Sequence, residues 1–213
     1  MDGVIVDSEP IHHFAYKQHF QQLNITVSDE LYASFTGNST KNIYQKLKNK
    51  FQLSQTVDNL VNRKRSLFND AFDSKNDLEL IDGVLNLIRN LKHHQVQLIL
   101  ASSSARVTIE RVFKRFNLHQ YFSEIFSGEE FPESKPHPAL FLSAWQSSKH
   151  QKDSCLIIED STNGIVAAHA ARIKCLGYDS FHSKNQDYSL AQMVTNDFNK
   201  INFEILNQLL IEK

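Results

Sequence analysis

The stretch "SCLIIEDSTNGIVAAHAARIKCLGY" occupies residues 154–178. A short apolar run at residues 155–158 ends on two acids, Glu159 and Asp160; a segment with helical periodicity follows, and a second apolar run ends at Tyr178. Continuous apolar runs joined by an amphipathic helix describe parallel strands covered on both faces, since a half-exposed sheet would alternate apolar and polar residues instead. The same rhythm extends upstream. "DGVLNLIRNLKHH" (82–94) carries Val84, Leu85, Ile88 and Leu91 at helical spacing, "VQLILA" (96–101) is strand-like, "ARVTIERVFKRFN" (105–117) helical, "EIFSG" (124–128) strand-like and "HPALFLSAWQSS" (137–148) helical. The reading is an α/β fold, a doubly wound parallel sheet.

Toward the N-terminus the rhythm breaks. "PIHHFAYKQHFQQLN" (10–24), "NIYQKLKNKF" (42–51) and "TVDNLVNRKRSLFNDAF" (56–72) are helical patterns without a strand between them. Pro10 suits a first helical turn, and Ser28 or Asp29 suits the start of the next helix. Residues 10–77 therefore read as a small helical domain inserted into a core domain made of residues 1–9 and 78–213. The opening "MDGVIVDSEP" (1–10) carries an apolar run at residues 3–6 between Asp2 and Asp7, which reads as the exit of a buried strand.

Bulk properties narrow the function. A chain of 213 residues buries roughly two thirds of its unfolded surface. Lys plus Arg (23) balances Asp plus Glu (24) with no long run of one sign, so neither nucleic acid nor an anionic membrane is an expected partner. Cys155 and Cys175 lie in apolar segments and read as reduced core residues. No basic leader precedes an apolar stretch, and no apolar run approaches the roughly 20 residues of a membrane helix. A soluble, cytoplasmic protein is expected, with a monomer favoured.

In doubly wound sheets ligands sit beyond the carboxyl ends of the strands. The polar residues there are Asp2 and Asp7, then Ser102, Ser103 and Ser104, then Lys135, then Glu159 and Asp160. Taken singly, each has a bland explanation: the serines cap the helix that begins near Ala105, Lys135 is a loop lysine, and the acids cap the next helix. Taken together they form a chemical set. Carboxylates converging on one sheet edge repel unless a hard cation sits among them, and an all-oxygen set suits Mg²⁺. Hydroxyls and free N–H groups at a helix start receive a phosphate, whose remaining charge Lys135 meets. That is apparatus for phosphoryl transfer.

The ordered motifs "MDGVIVDSEP", "LASSS", "SKPHP" and "IIEDSTNGI" resemble the haloacid dehalogenase (HAD) superfamily, in its branch of β-phosphoglucomutase-like enzymes and sugar-phosphate phosphatases. The resemblance covers essentially the whole chain and implies a residue-by-residue assignment. Asp2 would be the acid/base aspartate whose backbone carbonyl also binds Mg²⁺; Ser102 the phosphate-binding hydroxyl; Lys135 the motif lysine; Glu159 and Asp160 the acidic metal motif. Ser103 and Ser104 would complete the phosphate cradle, and residues 10–77 would form a cap closing over substrate. In the cap, His12 and Lys64 match substrate-proximal positions and Gly37 the cap glycine. Thr40 stands where the mutases have a phosphate-gripping arginine, a departure that favours hydrolysis. The family's nucleophilic aspartate would fall one residue before Met1, so the chain as written is expected to bind without turning over. The implied activity is Mg²⁺-dependent hydrolysis of a small phosphorylated metabolite, a sugar phosphate, through an aspartyl phosphate. The alternatives are a β-phosphoglucomutase-like isomerase and a non-catalytic phosphometabolite-binding protein.

Overall fold

The computed structural model describes residues 1–182 and 185–211. Five short strands are present: β1 (Ile99–Ser102), β2 (Glu124–Ser127), β3 (Leu156–Glu159), β4 (Lys174–Tyr178) and β5 (Met193–Thr195). Every ladder is parallel, with Ser102 opposite Ser127 in β1–β2, Glu159 opposite Gly177 in β3–β4 and Tyr178 opposite Thr195 in β4–β5. The strands form two sheets, β1–β2 and β3–β4–β5, and no ladder joins them among the described residues. The carboxyl ends of β1 and β3, where Ser102 and Glu159 stand, border a common cavity.

Successive residues of β4 show why these apolar runs became strands. Cys175 packs with Phe141, Ile165, Ala168 and Ala171, the faces of α7 (Ala139–Ser148) and α8 (Thr162–Ala171). Leu176 and Tyr178 point the other way, into a cluster with Val84, Leu87, Ile88 and Leu91 of α5 (Val84–His93) and Leu206 of α9 (Phe203–Ile211). A strand that buries alternate side chains under helices on opposite faces is the doubly wound arrangement. Helix α6 (Arg106–Arg115) buries Ile109, Val112 and Phe113 completely, and α7 touches β1, β2 and α8, spanning the two sheets.

Four helices precede this region: α1 (Glu9–Gln22), α2 (Asp29–Ala33), α3 (Thr40–Phe51) and α4 (Val57–Ser74). Their starts have local causes, because Ser28, Ser39 and Thr56 accept hydrogen bonds from the N–H groups of Leu31, Asn42 and Asn59. They share a core of Tyr16, Phe20, Phe35, Ile43, Tyr44, Leu47, Leu60 and Val61. A second cluster, with Ile11, Phe68 and Phe72 against Val6, Leu78 and Val112, seats them on the α/β layer.

Residues 3–6 differ from expectation. They form a turn and not the end of a strand: the Met1 carbonyl accepts the N–H groups of Val4, Ile5 and Val6, and Gly3 turns the chain with φ 71°. The run is apolar because Ile5 and Val6 are buried, Ile5 beside Leu100 and Phe113; burial alone does not distinguish strand from turn. Strand β5 and helix α9 carried no expectation from the sequence. Neither cysteine is in a disulfide; Cys175 is buried, and Cys155 is only half-buried. Among the described residues no helix is long and apolar enough to cross a membrane.

Gly164 lets α8 lie directly over the end of β3. A Cβ there would overlap the carboxyl group of Glu159. Gly164→Ala is therefore expected to destabilise the protein by about 1–3 kcal/mol through overpacking, even though Ala is the better helix former. Urea denaturation checks this; a neutral or stabilising result would mean that the Glu159 carboxylate has somewhere else to go.

Candidate active site

The cavity is walled on one side by strand ends and on the other by helices. Ser102, Ser103 and Ser104 follow β1, Glu159, Asp160 and Ser161 close β3, and Lys135 and Asp2 complete this wall. Opposite stand Glu9, His12 and Tyr16 of α1 and Tyr32 of α2, with Thr36, Gly37 and Asn38 between α2 and α3 and Thr40 opening α3.

Lys135 and Glu159 are both buried, at 4 % and 7 % exposure. The lysine Nζ is in direct contact with Glu159 Oε1, lies 3.5 Å from the Ala101 carbonyl and sits over the Phe141 ring at 4.4 Å. The other carboxylate oxygen of Glu159 accepts the N–H groups of Asp160 and Ser161, both at 3.1 Å, and the Ser161 hydroxyl at 3.0 Å. Burial pushes the Glu159 carboxyl up, and Lys135 together with the Ser161 hydroxyl outweighs it, leaving the group below its ordinary value. Glu159 was expected in the metal set; here its Oε1 meets Lys135 and its Oε2 accepts from the turn into α8, so it fixes both.

The three serines do not cap α6: Ala105 holds the cap position, and no side chain bonds there. They turn inward. Ser102 accepts the Ser104 N–H at 3.2 Å, Ser103 donates to the Gly37 carbonyl at 3.0 Å, and Ser104 donates to Asp2 Oδ2. Asp2 also accepts the Ser8 hydroxyl on Oδ1, with His12 Nε2 at 3.4 Å. Burial raises the Asp2 carboxyl, but the His12 imidazole, then the N-terminal ammonium and the Ser104 hydroxyl, hold it well below the usual carboxylate range. Asp7, flagged in the sequence beside Asp2, faces elsewhere and pairs with His182 at 2.6 Å.

His12 lies between Asp2 and Lys64. Its Nδ1 is 2.6 Å from Lys64 Nζ, and its ring stacks on Phe68 at 4.3 Å. Because the lysine can only donate, Nδ1 accepts and the ring proton falls on Nε2, facing Asp2. Burial, then the charge of Lys64, lowers the His12 pKa; burial lowers Lys64 to about 7. Lys64 itself does not line the cavity. Its ammonium is held over the rings of Tyr16 and Phe68, at 4.5 and 5.1 Å. Expected beside the substrate, it meets the site through His12.

Glu9, Tyr16 and Tyr32 went unread in the sequence. Glu9, His12 and Tyr16 stand at i, i+3 and i+7 on α1, one helix face, and polar residues on a face that must be covered were the available signal. Tyr32 donates to Glu9 Oε1 at 3.2 Å. Burial first, then the charges of Asp2 and Asp160, pushes the Glu9 carboxyl up to about 7.

This accumulation of acid bears on a metal ion. Among the described residues no three acidic, imidazole or thiol side chains converge into a complete cage. Mg²⁺, however, commonly binds through one or two carboxylates and keeps several waters. Asp160, 7 % exposed, lines the cavity with Asp2, and among the described residues no N–H donates to the Asp2 carbonyl oxygen. The donors are all oxygen and carry excess negative charge, which fits a hard divalent cation. Asp2 and Asp160 are the residues suited to hold it.

Comparison with known proteins agrees with this geometry. The sequence profile described as haloacid dehalogenase-like hydrolase matches residues 1–178. The chain is 32% identical over 158 residues to the bifunctional riboflavin kinase/FMN phosphatase of Arabidopsis thaliana, covering 72% of this chain but only 40% of that protein. It is 24% identical over 197 residues to the phosphorylated carbohydrates phosphatase of Thermotoga maritima, covering 90% of this chain and 88% of the relative. Among solved structures, the β-phosphoglucomutase of Clostridium difficile superposes with a TM-score of 0.85 at 20% identity, over 99% of this chain and 94% of that one. The profile match spans both walls of the cavity, from Asp2 to Ser161, and the chain belongs to the haloacid dehalogenase-like hydrolase family.

Proposed function

We propose that the protein is a Mg²⁺-dependent phosphatase acting on a small phosphorylated sugar. The observation that carries this reading is a single cavity lined by Ser102, Lys135, Asp2 and Asp160, an anion cradle and an acid pair on one rim. Family membership and the phosphatases among the relatives support it. In this reading residues 1–9 and 78–213 form the core domain and residues 10–77 the cap that keeps bulk water from the reacting phosphate.

Ser102 and the N–H groups that follow it bind the phosphoryl oxygens, and Lys135, held by Glu159, meets their charge without wandering. Asp160 and the Asp2 carbonyl would hold Mg²⁺, which when bound would supply electrostatic stabilisation of the charge that develops on the phosphoryl group. Asp2, ionised in the free protein, takes the proton of the incoming ester monoanion and gives it to the oxygen of the departing alcohol as the phosphoryl group passes to an aspartate that the family pattern sets directly before Met1. Asp2 then takes a proton from water as that water attacks phosphorus and releases inorganic phosphate. The Nε2–H of His12 holds the Asp2 oxygen that makes this exchange. Thr40, in place of the arginine implied for a mutase, favours release over re-use of the phosphoryl group.

With an aspartate directly before Met1, the protein is expected to release phosphate from sugar monophosphates with Mg²⁺, to stop on chelation and to recover when Mg²⁺ is restored. Asp2→Asn should lower turnover about 10²- to 10⁴-fold, and Lys135→Ala should weaken binding of inorganic phosphate. Interconversion of hexose 1- and 6-phosphates without phosphate release would establish the mutase instead.

Lys64→Met separates the role of Lys64 from that of a ligand-binding lysine. Removing a cation 2.6 Å from His12 Nδ1 should raise the His12 titration midpoint, read by NMR of the imidazole. Replacing a buried charge by an apolar chain of similar length should leave the melting temperature unchanged or raised. A midpoint that stays in place would remove Lys64 from the account of Asp2 and His12.

A further inference from the structure

We infer that Glu9 sets the substrate class of this cavity, admitting phosphate esters of uncharged, hydroxyl-bearing alcohols and excluding esters that carry a second anionic group. The inference deepens the phosphatase reading and rests on it only for the position of the phosphate.

The argument begins with where positive charge is missing. Among the described residues lining the cavity, Lys135 is the one lysine or arginine, and it lies at the strand ends, bound to Glu159. Lys64 is turned behind His12 and over aromatic rings. The helical wall facing the cradle therefore offers a second phosphate or a carboxylate no cation. It offers Glu9 instead.

The same wall is suited to hydroxyl groups. Tyr32 donates to Glu9 Oε1 at 3.2 Å, which fixes the carboxylate; among the described residues Oε2 receives no hydrogen bond, so it is left to accept one from a substrate. Tyr16, hydrogen-bonded to Thr40, and Asn38 border the same space. An oriented carboxylate beside hydroxyl and amide groups recognises a polyol by accepting its O–H hydrogens, and it repels an anion of the same size. Glu9 stands in the first turn of α1, on the face that carries His12, so its distance from the acid/base end is set by a rigid element.

Glucitol 6-phosphate, 2-phosphoglycolate and fructose 1,6-bisphosphate serve as probes, titrated calorimetrically with Mg²⁺ into the wild type, Glu9→Gln and Glu9→Lys. Burial and the neighbouring acids push the Glu9 carboxyl up to about 7, so the titrations are run at pH 8. The wild type should bind the hexitol ester at least about 10²-fold more tightly than either of the others, the scale of an uncompensated like charge at short range. Glu9→Gln, which keeps the shape and removes the charge, should shrink that ratio at least tenfold, and Glu9→Lys should reverse it. Comparable binding of all three probes by the wild type overturns the inference, as does binding of none, or a ratio unchanged in Glu9→Gln. Phosphate release is measured in parallel on the protein with an aspartate directly before Met1: selective binding without turnover there would sink the phosphatase reading and leave Glu9 in its role.

Discussion

The buried pair of Lys135 and Glu159 is the interaction on which the site depends. A lysine and a glutamate taken out of water are costly unless each is fully satisfied, and here the partner supplies only part of what each needs. The Ala101 carbonyl and the Phe141 ring complete the lysine; two backbone N–H groups and the Ser161 hydroxyl complete the glutamate. Those partners come from β1, α7 and the turn into α8, so the pair can persist only if both sheets are held in register. Removing one member would strand the other, at a typical cost of about 3–5 kcal/mol. The pair contributes less as net stability than as a constraint that aims an ammonium at one spot.

Opposite charge at one end is matched by an excess of like charge in the middle. Asp2 is driven far below an ordinary carboxylate and Glu9 well above one, although both lie in one cavity. The difference lies in their partners. Asp2 has two hydroxyls and an imidazole directed at it, whereas Glu9 has one phenol and two neighbouring acids. Carboxylates whose pKa values are pushed apart by their surroundings commonly hold distinct roles.

The α/β layer was legible because its strands are buried on both faces, so that residues 155–158 and 175–178 are continuous apolar runs. The turn at residues 3–6 has the same composition, since it too is buried, and only the positive φ of Gly3 and the threefold use of the Met1 carbonyl separate it from a strand. That Ser102, Lys135 and Asp160 share one cavity was legible from their order along the chain. The contact of Glu159 with Lys135 was not, because a carboxylate that binds a metal and one that restrains a lysine look alike in sequence. Glu9 escaped notice because the first turn of a helix is the ordinary place for an exposed acid.

Closure is the step that makes these features one site. Ser103 donates to the Gly37 carbonyl and Asn163 to the Thr36 carbonyl at 2.8 Å, joining the loop before α3 to both strand ends. Gly37 has φ 77°, and a Cβ there would lie 2.6 Å from Ser161 Oγ, so the approach needs glycine twice over, for its dihedral and for its lack of a side chain. Arg65 reaches Glu129 at 2.6 Å on the far side, an exposed pair that is worth little by itself. Away from the apolar cluster of Ile11, Phe68 and Phe72, the bonds that cross the cavity to the helical wall are few and mostly polar. Contacts of this kind leave a wall free to part from the strand ends there, because water can replace each of them, whereas an apolar seam of equal area would resist parting.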